Sequence, residues 1–222
     1  MKNWLRHNRG FLVFLLCLAF FRTAVADWNP IPSGSMRPTL LEGDVVLVDR
    51  LAYDFKLPLS DIMLLRLGTP RRGDVVTFTS PADGARLIKR LVAVPGDVVT
   101  LRDDVLSING APAEYTHASF VEEPMEQGGA VPAIRTSERL GGHERTVQFL
   151  PAIAARRNFG PVVVPQDSYF FLGDNRDNSA DSRYIGFVAR RLLIGRAHHI
   201  LVSADIQGNW LPRLERVGDR IQ

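Results

Sequence analysis

The sequence predicts a mainly β protein, and three observations lead to this prediction. Short β-branched runs bounded by Gly, Pro and Asp recur along most of the chain. No long stretch keeps the apolar period of a helix. The 222 residues, of which 45% are hydrophobic, are enough to bury one main core. We therefore expect a single β core in which helix is a minor component.

The first element is an N-terminal apolar run that follows positive charge. The basic residues Lys2, Arg6 and Arg9 precede apolar residues 11–21. This run is shorter than the roughly 20 residues of a membrane span, but residues 10–28 reach that length if charged side chains extend to the lipid headgroups. We therefore predict a membrane segment at 10–28.

The positive-inside rule orients this segment. We predict that residues 1–9 are cytoplasmic, that 10–28 form a single-pass anchor in the cytoplasmic (inner) membrane, and that 29–222 form a domain on the extracytoplasmic, periplasmic side. One alternative stays open, because an Ala-x-Ala pattern at 24–26 precedes Asp27, as in a cleavable secretory signal. Either way, the domain lies outside the cytoplasm.

The predicted strands follow in chain order as short runs rich in β-branched or aromatic residues. Residues 110–161 differ, because glycines and prolines interrupt weak strand signals. We predict that 110–161 form a smaller inserted lobe. The predicted strands are Val45–Val48, Val75–Thr79, Leu87–Val94, Val98–Leu101, Leu106–Ile108, Thr146–Leu150, Val162–Val164, Tyr169–Leu172 and Ala197–Val202.

Composition excludes several functional classes. The 27 basic and 24 acidic residues are spread along the chain without a basic stripe, so we expect no nucleic-acid partner. The single cysteine, Cys17, excludes an internal disulfide and a thiolate metal site. His198 and His199 are adjacent and would point to opposite faces of a strand, which disfavours a shared metal. We therefore predict neither a metal site nor a Ser/His/Asp triad.

The first candidate catalytic residue is Ser35, which small residues and two prolines surround, Pro32 and Pro38. By itself, the Ser-Gly-Ser sequence at 33–35 indicates a turn. An alcohol is a weak nucleophile and needs a neighbouring base to take its proton. Ser35 is therefore a candidate nucleophile only if such a base exists elsewhere in the chain.

Lys89 is the candidate base, because its predicted strand places it on one face with Leu87, Leu91 and Ala93. Burial among apolar side chains would lower the pKa of the lysine and leave a neutral amine that accepts a proton. The alternative is a lysine whose side chain reaches water from a sheet edge. The presence of the serine segment favours the catalytic interpretation.

A third segment, 173–186, is dense in short polar side chains directly after a predicted strand. A calcium loop is disfavoured, because Arg176 and Ser179 occupy its third and sixth positions. Reciprocal Asp/Arg pairs, with Ser179 turned to a buried amine, would form a rigid support for a catalytic lysine. Spacing alone does not establish that contact.

In this order, behind an N-terminal apolar segment, the three segments resemble those of the type I signal peptidases. The resemblance extends over 22–195 and includes Glu-Gly-Asp at 42–44 and Pro-Gly-Asp at 95–97. It implies that Ser35 is the nucleophile and Lys89 the general base. It also implies that the Ser33 hydroxyl and the Ser35 backbone N–H form an oxyanion hole.

The same resemblance implies supporting residues. Ser179 would orient the Lys89 amine, and Asp181, Arg183 and Arg90 would brace the site without taking part in bond making. A further set would contact the small side chains that precede the cut in an extended substrate. The members of this set are Ile31, Pro32, Met36, Leu40, Leu87 and Ile88.

The resemblance implies a signal-peptidase-like β core and a serine endopeptidase, a hydrolase that removes signal peptides from exported preproteins at the outer membrane face. Its partners would be signal peptides with an Ala-x-Ala motif and membrane lipid, and no metal or other cofactor would be needed. Two alternatives stay open. One is a specialised processing peptidase of the same superfamily, for example for conjugative pilins, and the other is a non-catalytic envelope domain that binds peptides.

Overall fold

The computed structural model shows a mainly β chain with few helices, as predicted. The predicted basic segment 1–9 lies partly outside the described residues. Its basic residues Lys2 and Arg6 are among those not described. The structure describes residues 4, 7–57, 60, 62–125 and 128–221.

The elements are numbered in chain order among the described residues. Three short 3-10 helices accompany them, at Gly34–Met36, Arg190–Leu192 and Leu214–Arg216. The helices and strands are α1 (Arg9–Ala24), β1 (Ala26–Pro30), β2 (Asp44–Asp49), β3 (Asp54–Lys56), β4 (Met63–Arg66), β5 (Val75–Thr79), β6 (Arg86–Ala93), β7 (Val98–Arg102), β8 (Val105–Ile108), β9 (Ala111–Pro112), β10 (Glu114–Pro124), β11 (Ala130–Leu140), β12 (His143–Phe149), β13 (Phe159–Val163), β14 (Ser168–Leu172), α2 (Ser182–Ile185), β15 (Val188–Ala189) and β16 (Leu193–Ser203).

A seven-stranded sheet forms the centre of the fold, in the order β1-β2-β16-β5-β6-β14-β15. Its paired strands are antiparallel. Strand β6 lies between β5 and β14, and its residues 89–93 are all buried. Because both faces of this stretch are covered, a polar side chain there is removed from water. This placement sets the environment of Lys89.

The region 110–161, predicted as a lobe with weak strand signals, contains two of the longest strands. Strands β10 and β11 each span 11 residues and form a three-stranded sheet with β12. Most side chains of β10 are exposed, so this strand lacks the apolar alternation that reveals a half-buried strand. The weak strand signal therefore did not mean that strands are absent from this region. That residues 110–161 form an inserted lobe stays a prediction.

The N-terminal helix α1 leads directly into the central sheet. Strand β1 pairs with β2 from Ala26 opposite Asp49 to Pro30 opposite Val45. Residues 26–28 of the predicted membrane segment thus belong to a sheet strand. Most of the large apolar side chains of α1 are exposed. No helix in the described part of the chain has both the length and the apolar character needed to cross a membrane.

Candidate active site

A single 3-10 turn at Gly34–Met36 holds Ser35 between strands β1 and β2. Met36 is buried in an apolar cluster below the turn, so this side chain anchors the backbone. From the other side, the Asn175 backbone N–H donates to the Ser35 carbonyl at 3.2 Å, and Asn175 Nδ2 donates to the Gly34 carbonyl at 3.0 Å. The backbone of the candidate nucleophile is therefore held from two directions.

Lys89 reaches this turn from strand β6. Its side chain is buried, with the residue 3% exposed, and Nζ donates a hydrogen bond of 2.5 Å to Ser35 Oγ. These two residues are 54 positions apart in the sequence, and the fold brings them together. At this distance the Ser35 hydroxyl can instead donate to Nζ once the amine is neutral, which is the contact that a base needs to take its proton.

Burial lowers the pKa of Lys89 from its usual 10.5 to about 8. Desolvation is the largest cause, because the charged ammonium loses its water when the side chain enters the sheet. The carboxylates of Asp181 and Asp174 act in the opposite direction and keep the pKa from falling further. About half of the amine is thus neutral at pH 8 and can accept a proton, whereas the ordinary pKa of 10.5 would leave almost all of it charged.

Gly173 allows the polar segment after β14 to approach the nucleophile closely. A Cβ atom at this position would lie 2.5 Å from the Ser35 carbonyl oxygen and 2.3 Å from Ser179 Oγ. Such distances are too short for any side chain, so only glycine fits here without moving the neighbours.

A buried ion pair between Arg90 and Asp174 connects strand β6 to the same segment. Arg90 Nε and Nη2 donate to the two carboxylate oxygens at 2.8 and 2.7 Å, and Nη1 donates to the Gly73 carbonyl at 2.9 Å. Asp174 also accepts a hydrogen bond of 2.6 Å from Thr39 Oγ1. Arg90 therefore braces the loops on both sides of the Ser35–Lys89 contact.

A second buried pair, Asp181 with Arg183, stabilises the end of this segment. Arg183 Nε and Nη2 donate to the Asp181 carboxylate, both at 2.8 Å. The Gly173 backbone N–H donates to Asp181 Oδ2 at 3.1 Å, which closes the segment into a loop. The bracing role of Asp181 and Arg183 stays a prediction, for which these contacts provide a structural basis.

Replacing Asp174 by alanine is expected to lower the free energy of unfolding by about 3–5 kcal/mol, because Arg90 would remain buried without a countercharge. The side chain of Asp174 is 1% exposed. Asp167→Asn is the matched control, because it removes a carboxylate charge that is 62% exposed and pairs with Arg66, and asparagine tolerates the positive φ of 53° at this position. This control should cost no more than about 1 kcal/mol. Equal losses in urea unfolding would contradict the bracing role of Asp174.

Ser33 and Ser179, the two other serines of the predicted site, differ in their contacts with the Ser35–Lys89 pair. Ser33 Oγ lies 3.4 Å from Ser35 Oγ, beside the candidate nucleophile. Ser179 Oγ is buried near Gly173 and has no hydrogen-bond partner among the described residues. The described structure therefore contains no hydrogen bond between Ser179 and the Lys89 amine, which contacts Ser35.

The six predicted substrate-contacting residues separate into two groups by exposure. Ile31, Met36 and Leu40 are buried in one apolar cluster with strand β2. They form the floor under the Ser35 turn. Of the other three, Pro32 is exposed, Ile88 is half-buried against this cluster, and half-buried Leu87 packs against a different cluster that contains Leu91.

Four residues of the site escaped the sequence analysis as individual candidates. Gly173, Asp174 and Asn175 lie inside the polar segment that was singled out, but nothing in their spacing shows which atoms they contact. Thr39 has no sequence signal at all, since its partner Asp174 is 135 positions away.

The prediction that His198 and His199 point to opposite faces is wrong. Their rings are stacked, with centroids 6.0 Å apart and an angle of 12° between the planes. The cause is a register irregularity in β16 between Ala197 and His199, which breaks the alternation of side chains. Among the described residues, no group of three or more His, Cys, Asp or Glu side chains is arranged to hold a metal ion.

Comparisons with known proteins place this geometry in context. The sequence model of the family "Signal peptidase, peptidase S26" matches residues 2–202. Signal peptidase I of Pseudomonas fluorescens is 34% identical over 225 residues, which cover 96% of this chain and 78% of that protein. Signal peptidase I of Pseudomonas aeruginosa PAO1 has the same identity and coverage. A crystal structure of a signal peptidase I from Enterococcus faecalis V583 is 31% identical and covers 58% of this chain and 96% of its own, with a TM-score of 0.35.

Proposed function

This chain belongs to the signal peptidase family, peptidase S26, and we propose that it removes signal peptides from preproteins by means of a Ser35/Lys89 catalytic dyad. It is thus a serine endopeptidase and a hydrolase. The observation that supports the dyad most directly is the 2.5 Å contact between the Lys89 amine and the Ser35 hydroxyl. Burial of that amine supplies the lowered pKa that a lysine base requires.

In the first half of the reaction, neutral Lys89 takes the proton of Ser35 Oγ as that oxygen attacks the carbonyl carbon of the scissile peptide. A tetrahedral intermediate forms with a negative charge on the former carbonyl oxygen. When it collapses, the C–N bond breaks and protonated Lys89 gives its proton to the leaving amine. The products are an acyl-enzyme ester on Ser35 and the free N-terminus of the mature protein.

The second half of the reaction regenerates the enzyme. Lys89, neutral again, takes a proton from water, and the resulting hydroxide attacks the ester carbonyl carbon. The ester bond to Ser35 Oγ breaks, and Lys89 returns the proton to that oxygen. The signal peptide leaves with a new carboxylate.

The negative charge of the intermediate needs hydrogen-bond donors. We assign this role to the Ser33 hydroxyl, which is 3.4 Å from Ser35 Oγ, together with the Ser35 backbone N–H. Loss of one such donor costs about 3 kcal/mol in the transition state. Asp181, Arg183 and Arg90 act by position, and Ser179 is proposed to pack beside the amine.

We further propose that the substrate binds as an extended strand against Pro32, Leu87 and Ile88, with buried Ile31, Met36 and Leu40 supporting the Ser35 turn from below. Such an apolar surface suits the small side chains of an Ala-x-Ala site. Residues 10–28 are proposed to anchor the chain in the cytoplasmic membrane and 29–222 to work on its extracytoplasmic side. The basic flank and the exposed apolar side chains of α1 support this orientation.

The test is cleavage of several preproteins with Ala-x-Ala sites by the full chain in a neutral detergent. Cleavage after the second Ala in most of them is the expected result. Cleavage of only one would favour a specialised processing peptidase. No cleavage, together with no labelling by a serine acylator, would favour a non-catalytic peptide-binding domain.

The pH dependence of kcat/KM tests the base directly. Only the neutral amine accepts a proton, so kcat/KM is expected to rise with pH and to reach half of its plateau near pH 8, the pKa of Lys89. Below this pH the rate should fall about tenfold per unit, because the ammonium accumulates. Thermal unfolding at the same pH values is the control for loss of folded protein. A profile that is flat between pH 6 and 9 would contradict the assignment.

A further inference from the structure

A cleft away from the Ser35–Lys89 contact collects an unusual number of positive charges. It lies between the first residues of β12 and the central strands β5 and β16, and it has a volume of about 400 Å³. Two carboxylates line it, those of Asp74 and Glu144. We call it the arginine cleft, because its lining includes Arg72, Arg90, Arg145, Arg196 and Arg220.

The charges behind this cleft do not balance. A single fully buried carboxylate, Glu138, pairs with both Arg145 and Arg176. Both guanidinium groups are also buried, and Tyr115 OH donates a further hydrogen bond to the same carboxylate at 2.8 Å. One positive charge in this group therefore lacks a countercharge, which is costly in a protein interior.

Arg145 is the member of this group that lines the cleft, and it also lines a second cavity that adjoins it. Its Nε is buried and has no hydrogen-bond partner among the described residues. Buried polar groups are nearly always hydrogen-bonded, so an unpartnered guanidinium nitrogen points to a missing acceptor.

Arg196, on the opposite wall, also has an unpartnered guanidinium nitrogen. Its Nε is also buried without a hydrogen-bond partner among the described residues. The nearest carboxylate, that of Asp74, is 3.7 Å from Nη1, which is too far for a hydrogen bond. Asp74 already accepts hydrogen bonds from Tyr53 OH and from the Arg71 backbone N–H, each at 2.9 Å.

The second acid of the lining, Glu144, is also engaged elsewhere. Its carboxylate accepts hydrogen bonds from Ser137 Oγ at 2.6 Å and from Arg139 Nη2 at 2.9 Å. His198 Nε2 lies 3.3 Å from Arg196 Nη2, and burial and the Arg196 charge lower the pKa of this imidazole, so it offers Arg196 a neutral partner but no countercharge. Arg72 and Arg90 are thus paired with Asp97 and Asp174, whereas the Nε atoms of Arg145 and Arg196 lack an acceptor among the described residues.

We propose that the arginine cleft binds a phosphate-type anion, either free phosphate or the phosphate of an anionic lipid headgroup. Guanidinium groups match phosphate oxygens in geometry and can each donate two hydrogen bonds. The cleft has room for such a group and its bound water. A dianion there would supply the countercharge that Glu138 alone cannot give to Arg145 and Arg176.

The first test is isothermal titration of the full chain, in a neutral detergent, with inorganic phosphate at constant ionic strength. Saturable binding of one phosphate per chain is expected. Arg196→Gln and Arg220→Gln should each weaken binding at least tenfold. Arg102→Gln is the matched control, because it removes the same charge from an exposed position on β7, outside the cleft. That control should change the affinity less than twofold.

Arg145→Gln gives an independent readout that does not depend on affinity. This substitution leaves Arg176 alone with Glu138, so the buried charges balance. The variant is therefore expected to have a higher Tm than wild type in phosphate-free buffer and to lose the rise in Tm that phosphate causes. A lower Tm together with a retained phosphate response would overturn the proposal.

Detergent micelles that contain phosphatidylglycerol or phosphatidylcholine distinguish the two sources of phosphate. Stabilisation by phosphatidylglycerol alone, lost in Arg196→Gln, would identify a lipid headgroup. A response to inorganic phosphate but not to either lipid would identify a soluble anion. The proposal would be overturned if neither phosphate source stabilises the chain, or if Arg102→Gln and Arg196→Gln respond alike. None of these measurements uses preprotein cleavage, so they are independent of the proposed activity.

Discussion

Lys89→Ala is expected to lower kcat/KM for preprotein cleavage by at least roughly 10⁴-fold, because Ser35 would lose the group that takes its proton. Lys89→Arg should fail as well, although it preserves the charge and much of the size. A guanidinium group remains protonated at all accessible pH values and cannot act as a base. Initial rates on one preprotein, at a pH above 8, measure both effects.

Lys56→Met is the matched control, since it removes another buried amine. Lys56 Nζ donates to the Arg191 and Leu193 carbonyl oxygens, both at 2.6 Å, and has no role in the proposed reaction. This variant is expected to lose stability but to keep its kcat for the folded fraction. Retained turnover in Lys89→Ala would exclude Lys89 as the base, whatever the control shows.

The stability of a Lys89→Met variant tests the buried amine separately from catalysis. The pKa of Lys89 is about 8 in the folded protein and about 10.5 when unfolded. Between these values the unfolded chain binds more protons, so the stability of wild type should rise with pH from about 8 to 10.5. Relative to wild type, the variant should lack this rise. Parallel stability curves would show that the amine is not desolvated.

Ser35→Ala is expected to cause a loss of similar size, because no oxygen remains to form the acyl-enzyme. The variant should fold, since the turn is held through backbone contacts with Asn175 and through buried Met36. Intact mass after incubation with a serine acylator should show one adduct on wild type and none on the variant. An adduct on Ser35→Ala would place the nucleophile elsewhere.

Ser33→Ala is the graded comparison for this experiment. It removes a hydroxyl that is 3.4 Å from Ser35 Oγ but keeps the nucleophile and the base. We expect cleavage to fall about 10²–10³-fold, as for the loss of one oxyanion donor. A loss as large as that of Ser35→Ala would imply that Ser33 contributes more than a hydrogen bond.

Local sequence patterns predicted the central strands well. The predicted strand Val75–Thr79 has the observed bounds, and the strand at Val98 differs by one residue at its end. Strand β10 was missed because most of its side chains are exposed, and β11 was missed because its buried positions include polar Thr136 and Glu138, so neither strand alternates apolar with polar residues. The prediction that His198 and His199 point to opposite faces was wrong because it assumed a regular strand. The register irregularity in β16 arises in its pairing with β2, which the local sequence does not show.

In the candidate site, too, the sequence indicated some residues and not others. The sequence pointed to Ser35 and Lys89 by chemical type, local context and family resemblance. It could not show that Asn175 holds the backbone of the nucleophile or that Thr39 contacts Asp174, because those contacts join segments more than 100 positions apart. The structure has no hydrogen bond between Ser179 Oγ and the Lys89 amine, which contacts Ser35, so the orienting role implied for Ser179 stays a prediction.

By itself, the sequence determined the fold class, most strands of the central sheet and the residues capable of nucleophilic chemistry. These properties depend on strand propensity, turn-forming residues and the chemistry of single side chains, all of which act over short distances along the chain. Only the tertiary structure decided how deeply Lys89 is buried, and hence its lowered pKa. It also gathered into one cleft arginines that are spread from 72 to 220 in the sequence. Desolvation and electrostatic interaction act through space, so they depend on which distant segments pack together.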